Sequence, residues 1–65
     1  MKPKYYMVAN SLCVFPLRKV INNEEYFWDN RYHKNIWVEC IDLGYRLWNK
    51  SLITEEEAFR YMLEN

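Results

Sequence analysis

The chain has 65 residues, about half of them hydrophobic, and nine basic side chains balance nine acidic ones. That length allows one domain, the apolar content excludes a disordered chain, and zero net charge excludes a uniformly acidic or basic surface. Three Trp, six Tyr and three Phe are a heavy load for so small a protein, because a domain of this size buries only ~60% of the surface its unfolded chain exposes.

Residues 4–9, Lys-Tyr-Tyr-Met-Val-Ala, read as a strand, and Asn10-Ser11 as a turn. Residues 12–15, Leu-Cys-Val-Phe, read as a second strand stopped by Pro16, which cannot donate to a ladder. Residues 17–21, Asn22-Asn23 and Glu24 to Trp28 form a predicted hairpin, since Asn tolerates the positive φ of a two-residue turn. Ile36, Trp37, Cys40, Ile41, Gly44, Leu47 and Trp48 recur at helical spacing, which predicts a helix over about 35–50. The β-branched and aromatic residues of 36–41 also fit a strand. Gly44 on the apolar face suggests close approach of another element. Thr54 with Glu57 is a capping box, Ile53 and Ala58 stand at hydrophobic-staple positions, and Glu55 to Glu57 suit a positive helix N-terminus. A helix over 54–64 follows, with Ala58, Phe59, Met62 and Leu63 as its buried stripe.

Leu47 and the run Lys50-Ser51-Leu52-Ile53-Thr54-Glu55-Glu56-Glu57-Ala58-Phe59 resemble the short helical-hairpin segment at the C-termini of bacterial proteins of the SHOCT type, whose core is Gly-x-Ile-Thr-x-Glu-Glu-Phe. Ser51 stands at the Gly of that pattern, and the Phe is displaced by two residues. The likeness covers about residues 43–64. It implies two packed helices serving oligomerisation or interaction.

The chemistry of catalysis is sparse. His33 is the only histidine and is expected in an exposed loop or at a helix start. Cys13 and Cys40 read as buried thiols, with a disulfide the less favoured alternative. A metal site of Cys13, His33, Cys40 and a carboxylate lacks paired ligand spacing, and one glycine cannot build a phosphate-cradling loop. No enzymatic activity, cofactor or metal is expected. No stretch approaches the ~20 apolar residues of a membrane span, and residues 1–17 lack the apolar run of a secretory signal. A soluble, cytoplasmic chain is therefore expected.

Charge is uneven along the chain. Residues 1–20 hold Lys2, Lys4, Arg18 and Lys19 and no acid. With Tyr5 and Tyr6 they are the candidate contacts for nucleic acid, although four cations make a small footprint. The run Tyr26-Phe27-Trp28-Asp29-Asn30-Arg31-Tyr32 is the stronger signal, because Trp, Tyr and Arg dominate interface hot spots. Tyr26, Trp28, Arg31, Tyr32 and Trp37 are the expected partner-binding residues.

The sequence thus predicts an α+β domain: an antiparallel sheet of three or four short strands over about 4–28, packed on a C-terminal helical hairpin. The expected function is binding another protein and modulating it. Size and a composition resembling that of low-GC genomes suggest an inhibitor of a host protein made by a phage or mobile element. The alternatives are a nucleic-acid-binding accessory protein, and a homodimer closed by the helical hairpin through residues such as Trp48 and Met62.

Overall fold

The computed structural model of the protein describes residues 1–32 and 35–65; the expectation for His33 lies outside them. Five strands, β1 (Lys4–Val8), β2 (Leu17–Ile21), β3 (Glu24–Asp29), β4 (Ile36–Glu39) and β5 (Lys50–Ile53), form one antiparallel sheet in the order β4-β3-β2-β1-β5. A helical turn, α1 (Leu43–Arg46), lies between β4 and β5, and α2 (Glu55–Glu64) ends the chain. The α+β class stands. The helical hairpin does not, since one helix of ten residues takes its place.

The β2–β3 hairpin is specified locally. Asn22 and Asn23 adopt φ of 52° and 64°, the pair of left-handed residues that a tight turn requires to match strand twist. This fixes Ile21 opposite Glu24 and Arg18 opposite Phe27. Residues 12–15 are not the expected strand. The Asn10 side chain accepts from Leu12 N at 2.9 Å and the Asn10 carbonyl accepts from Cys13 N at 2.9 Å. Those bonds turn the chain back on itself, a local alternative to a ladder that Asn side chains favour.

Residues 36–39 are strand rather than helix. Asn35 turns with φ of 66° and its N–H donates to the Asp29 carbonyl at 2.7 Å. That bond aligns Ile36, Trp37 and Val38 along the open edge of β3, where residues of this shape pack well on a pleated surface. Beyond Cys40, only α1 keeps a trace of the helical periodicity. Gly44 is not placed by close packing: a Cβ there would meet only the Asp42 carboxylate, at 3.1 Å, which already accepts the Gly44 N–H at 2.8 Å.

Because β4 and β5 lie at opposite edges, the connection 40–49 must cross the sheet. It crosses one face, and α2 covers the other. Alternation along the strands places Tyr5, Met7, Leu17, Lys19, Tyr26, Trp28, Trp37 and Ile53 on the helix face, and Tyr6, Val8, Arg18, Glu25, Phe27, Asp29, Val38 and Lys50 on the crossover face. Tyr5, Leu17 and Ala58 form the buried centre under α2, with Met7, Trp28, Trp37, Ile53, Tyr61 and Met62 packed around it. Met62 is thus half-buried in this core, whereas Phe59 and Leu63 of the expected buried stripe are 46% and 88% exposed. Ile53 and Ala58 enter the same cluster on either side of the cap.

The capping box forms as its residue types require. Thr54 Oγ1 accepts from Glu57 N at 3.0 Å, and Glu57 Oε1 accepts from Thr54 N at 3.1 Å. The Thr54 backbone N–H, and then its hydroxyl, hold the Glu57 carboxyl below its ordinary value of 4.5. Replacing Thr54 with Ala removes the cap and is expected to cost about 1 kcal/mol in urea denaturation. Since the folded value is the lower one, the contribution of Glu57 is complete above its ordinary value and fades as pH falls through the lowered one. Thermal melts of the wild type and Glu57→Gln should therefore differ at neutral pH and converge in strong acid.

Candidate functional site

The crossover face is built on a charge. Arg18 is 1% exposed and Glu25 5%. The hairpin register sets them diagonally on one face, and Arg18 Nη1 donates to Glu25 Oε2 at 2.8 Å. The other carboxylate oxygen accepts from Lys50 Nζ at 3.0 Å, and that ammonium also donates to the Arg46 carbonyl at 2.9 Å. Lys50 lies on β5, three strands from Glu25, so its side chain reaches back beneath the crossover. An isolated buried ion is prohibitively costly, but a pair with its remaining donors and acceptors satisfied is tolerated.

The rest of the guanidinium holds the cover. Arg18 Nε donates to the Phe15 carbonyl at 3.0 Å, Nη2 lies 3.5 Å from Cys13 Sγ, and Nη1 lies 3.9 Å from Cys40 Sγ. Loop 9–16 and the start of the crossover therefore converge on one side chain. Phe15 then stacks on Phe27 at 4.8 Å between ring centroids and meets the edge of Tyr32 at 5.9 Å. Both thiols are free; Cys40 is buried and Cys13 half-buried. Burial pushes the Cys40 thiol up, against the opposing pull of the Arg18 charge.

Above this network lies an apolar crown. Leu12 is 82% exposed, Ile41 81%, Leu43 68% and Leu47 81%. The two segments meet twice: at the Arg18 guanidinium, and along a cleft of about 620 Å³ lined by Ala9, Asn10 and Ser11 on one side and Leu47, Trp48 and Asn49 on the other. Residues 9–14 and 47–49 contain no charged side chain. Large exposed apolar side chains on two adjoining segments are candidate contact residues.

The residues expected to bind a partner are divided between the faces. Tyr26, Trp28 and Trp37 lie on the helix face, with Trp28 and Trp37 at 5.1 Å between ring centroids and Tyr5 at 6.2 Å from Trp37. Lys19 Nζ sits 4.6 Å above the Trp37 ring and 5.4 Å above that of Tyr26, and burial lowers its pKa. The Tyr26 hydroxyl donates to Glu24 Oε2 at 2.7 Å, and this bond, ahead of burial, raises its pKa. Trp28 Nε1 is buried with no hydrogen-bond partner. Arg31 and Tyr32 belong to the turn after β3, where their N–H groups donate to Asp29 Oδ1 at 3.0 and 2.9 Å. Both are exposed, but Tyr32 leans on Phe15, on the crossover side.

The candidate nucleic-acid contacts are likewise dispersed. Lys2 and Lys4 are exposed near the N-terminus, Tyr5 is buried, and Tyr6 is half-buried. Arg18 pairs with Glu25 on one face, whereas Lys19 covers aromatic rings on the other. No single surface gathers the six. Among the described residues, no three of His, Cys, Asp and Glu are placed to hold a metal ion, and no helix is long and apolar enough to cross a membrane. Sequence reasoning missed both the Arg18–Glu25–Lys50 network and the crown. The hairpin register was the available signal for the first, because it places Arg18 and Glu25 on the same face. The second had none, because Leu43 and Leu47 were expected within an amphipathic helix.

No family model, curated protein or solved structure matches the chain.

Removing one partner of the buried network should be felt unequally. Glu25→Leu leaves two cations without their carboxylate and is expected to cost ~3–5 kcal/mol in chemical denaturation. Arg18→Met should cost less, because Glu25 keeps Lys50. The double variant Arg18→Met/Glu25→Leu should be more stable than Glu25→Leu alone, since Lys50, on the rim of the network, can turn to solvent.

Proposed function

We propose that this protein is a non-enzymatic binding module whose apolar crown seats another protein. The observation that carries this reading is the outward display of Leu12, Ile41, Leu43 and Leu47 from two segments braced against the same buried arginine. A short chain normally turns such side chains inward, since each buried one contributes ~1.5–3 kcal/mol. Here they are displayed on a supported platform. The occupant that fits is a protein surface that is itself apolar and weakly charged. The crown offers little charge to phosphate or to anionic lipid: among positions 9–14 and 41–49 only Asp42 and Arg46 are charged, and Arg46 is half-buried with Nη2 donating to the Asn23 carbonyl at 3.3 Å. A chain acting this way modulates its partner by covering or reshaping the contacted surface, which is the inhibitor reading expected from its size. The lysine-capped Tyr26 and Trp37 rings form a second, smaller surface on the opposite face.

The test is affinity capture from the native host with the full chain, compared across variants. Leu43→Ser/Leu47→Ser alters two exposed positions and is expected to leave stability within about 0.5 kcal/mol per site while abolishing retention of a specific partner. Tyr26→Ala should retain that partner. The opposite pattern, with the partner kept by the crown variant and lost by Tyr26→Ala, would move the contact to the helix face. Retention of nucleic acid with steep salt dependence would replace the protein-binding reading altogether.

A further inference from the structure

We propose that the outer edge of β5 pairs with the same edge of a second copy, joining two molecules through one antiparallel sheet that continues across both. β5 is an end strand of the sheet, and the direction of its outer backbone groups follows from the register. Val8 N donates to the Pro16 carbonyl at 2.9 Å, toward β2. N–H and C=O groups turn to opposite sides of a strand at successive residues, so Tyr6 and Val8 bond toward β2, while Tyr5 and Met7 bond toward β5. Tyr5 faces Ile53 and Met7 faces Ser51. Ile53 and Ser51 therefore carry the ladder to β1, and the N–H and C=O groups of Lys50 and Leu52 point to the open side.

This edge lacks a guard. Exposed edges are ordinarily blunted by charged side chains or proline. Lys50 is the only charged residue from Leu47 to Thr54. Its ammonium is turned inward onto Glu25 at 3.0 Å and the Arg46 carbonyl at 2.9 Å, leaving the side chain 19% exposed. Ser51 is exposed, and Leu52 is 64% exposed. At the other end of the sheet, by contrast, β4 closes on the exposed Glu39. On the helix face beside β5, the groove over Met7 and Ile53 is bordered by Glu57, Arg60 and Glu64, charges of both signs that set up no uniform repulsion between copies. The chain as a whole is neutral as well.

Outward backbone groups select an extended strand as the occupant, since another backbone offers donors and acceptors at the same repeat. This strand is its own complement. Lys50 and Leu52 lie symmetrically about Ser51, so a two-fold axis through Ser51 sets Lys50 of each copy opposite Leu52 of the other. Every outward N–H of both residues then meets a C=O. The axis stands perpendicular to the sheet, which keeps the side-chain faces in step. Leu52 lies beside the copy's Lys50 on the crossover face, and the Ser51 hydroxyls meet on the helix face, a cross-strand pairing that hydroxyl residues favour. Such a contact is isologous and closed, so association stops at two. Both crowns lie on the same side of the joined sheet, and the dimer presents its partner-binding surface twice. That last consequence rests on the protein-binding reading; the pairing itself does not.

The test is sedimentation velocity of the purified full chain over rising concentration, alongside variants of β5. Wild type should shift from the monomer mass to twice that mass and no further. Leu52→Pro removes one outward N–H and no bond to β1, a placement that edge strands accept. It should keep the circular dichroism of the wild type and remain a monomer. Leu52→Lys, which restores a guard without touching the backbone, should also fold as a monomer, and it decides the matter if the proline variant does not fold. On mild oxidation Ser51→Cys should give a dimer linked 51 to 51 in peptide maps, because a non-hydrogen-bonded pair holds its Cα atoms ~4.5 Å apart, within the span a disulfide bridges. The crown variant Leu43→Ser/Leu47→Ser should dimerise as wild type does. A wild type that stays monomeric to its highest soluble concentration, growth beyond the dimer, a folded Leu52→Lys that still dimerises, linkage through Cys13 or Cys40 in place of 51, or loss of the dimer in the crown variant would each overturn the proposal. None of these readouts involves a captured partner, so their failure would leave the protein-binding reading untouched.

Discussion

The buried guanidinium of Arg18 is the constraint on which the crossover face depends. One side chain donates to a carboxylate, accepts the approach of two thiols, and bonds the backbone of a loop. Glu25 offsets part of its desolvation, and Glu25 is held diagonally across the ladder by the register of a two-residue turn. The turn thus acts at a distance. Two asparagines that accept positive φ set the pairing, the pairing sets the diagonal, and the diagonal permits an ion pair under a loop and a crossover that have little regular structure of their own. A hydrophobic side chain at position 18 could hold a loop by contact alone. The guanidinium holds it by direction as well, because its planar fork fixes where each partner must lie.

Covering both faces of a sheet in so short a chain requires two thin layers of side chains. The aromatics supply them. Tyr5, Trp28, Trp37 and Phe59 meet on the helix face, and Phe15, Phe27 and Tyr32 on the other. Strand alternation therefore divides Tyr26, Phe27 and Trp28 between the two faces, while Arg31 and Tyr32 are exposed in the turn beyond β3. Each large ring gives ~150–250 Å² of burial for few rotatable bonds, which suits layers with no room for depth. The cost shows at Trp28, whose indole N–H is enclosed without an acceptor. Leaving a buried donor unpaired costs on the order of 1–3 kcal/mol, and packing against Trp37 and the α2 core has to exceed it.

Legibility followed range of interaction. The hairpin at Asn22-Asn23 and the capping box at Thr54 and Glu57 were readable because turn chemistry and cap chemistry act over two to four residues. Residues 36–50 were misread because Ile36, Trp37, Cys40 and Ile41 satisfy a helical period while their shapes satisfy a strand. The open edge of β3 decided between the two, and that edge is known only once the sheet exists. Residues 12–15 failed for a related reason: their β propensity lost to the Asn10 bonds that fold the segment over Arg18. The site was less visible than the fold. Arg18 in a short strand reads as a solvated cation, and nothing local to Leu43 or Leu47 indicates that they face outward.

The charge asymmetry of the sequence takes on a different meaning in the fold. Four cations without an acid in the first 20 residues suggested an attraction for phosphate. Folding gives each of two of them a specific place: Arg18 faces Glu25, and Lys19 lies across Trp37 and Tyr26. Of the four, Lys2 and Lys4 remain on an open surface. Acidic residues from the later part of the chain complete the arrangement, since Glu25 balances Arg18 and Lys50 in the interior. The neutral overall charge is thus partly an internal pairing rather than an even scatter over the surface. Placing that pairing inside also leaves the loop and crossover above it free to be apolar, because the ions anchoring them need no exposed polar groups. The weakly charged crown and the buried ion network are in this sense two sides of one arrangement: charge directed inward secures segments whose outward surface carries almost none.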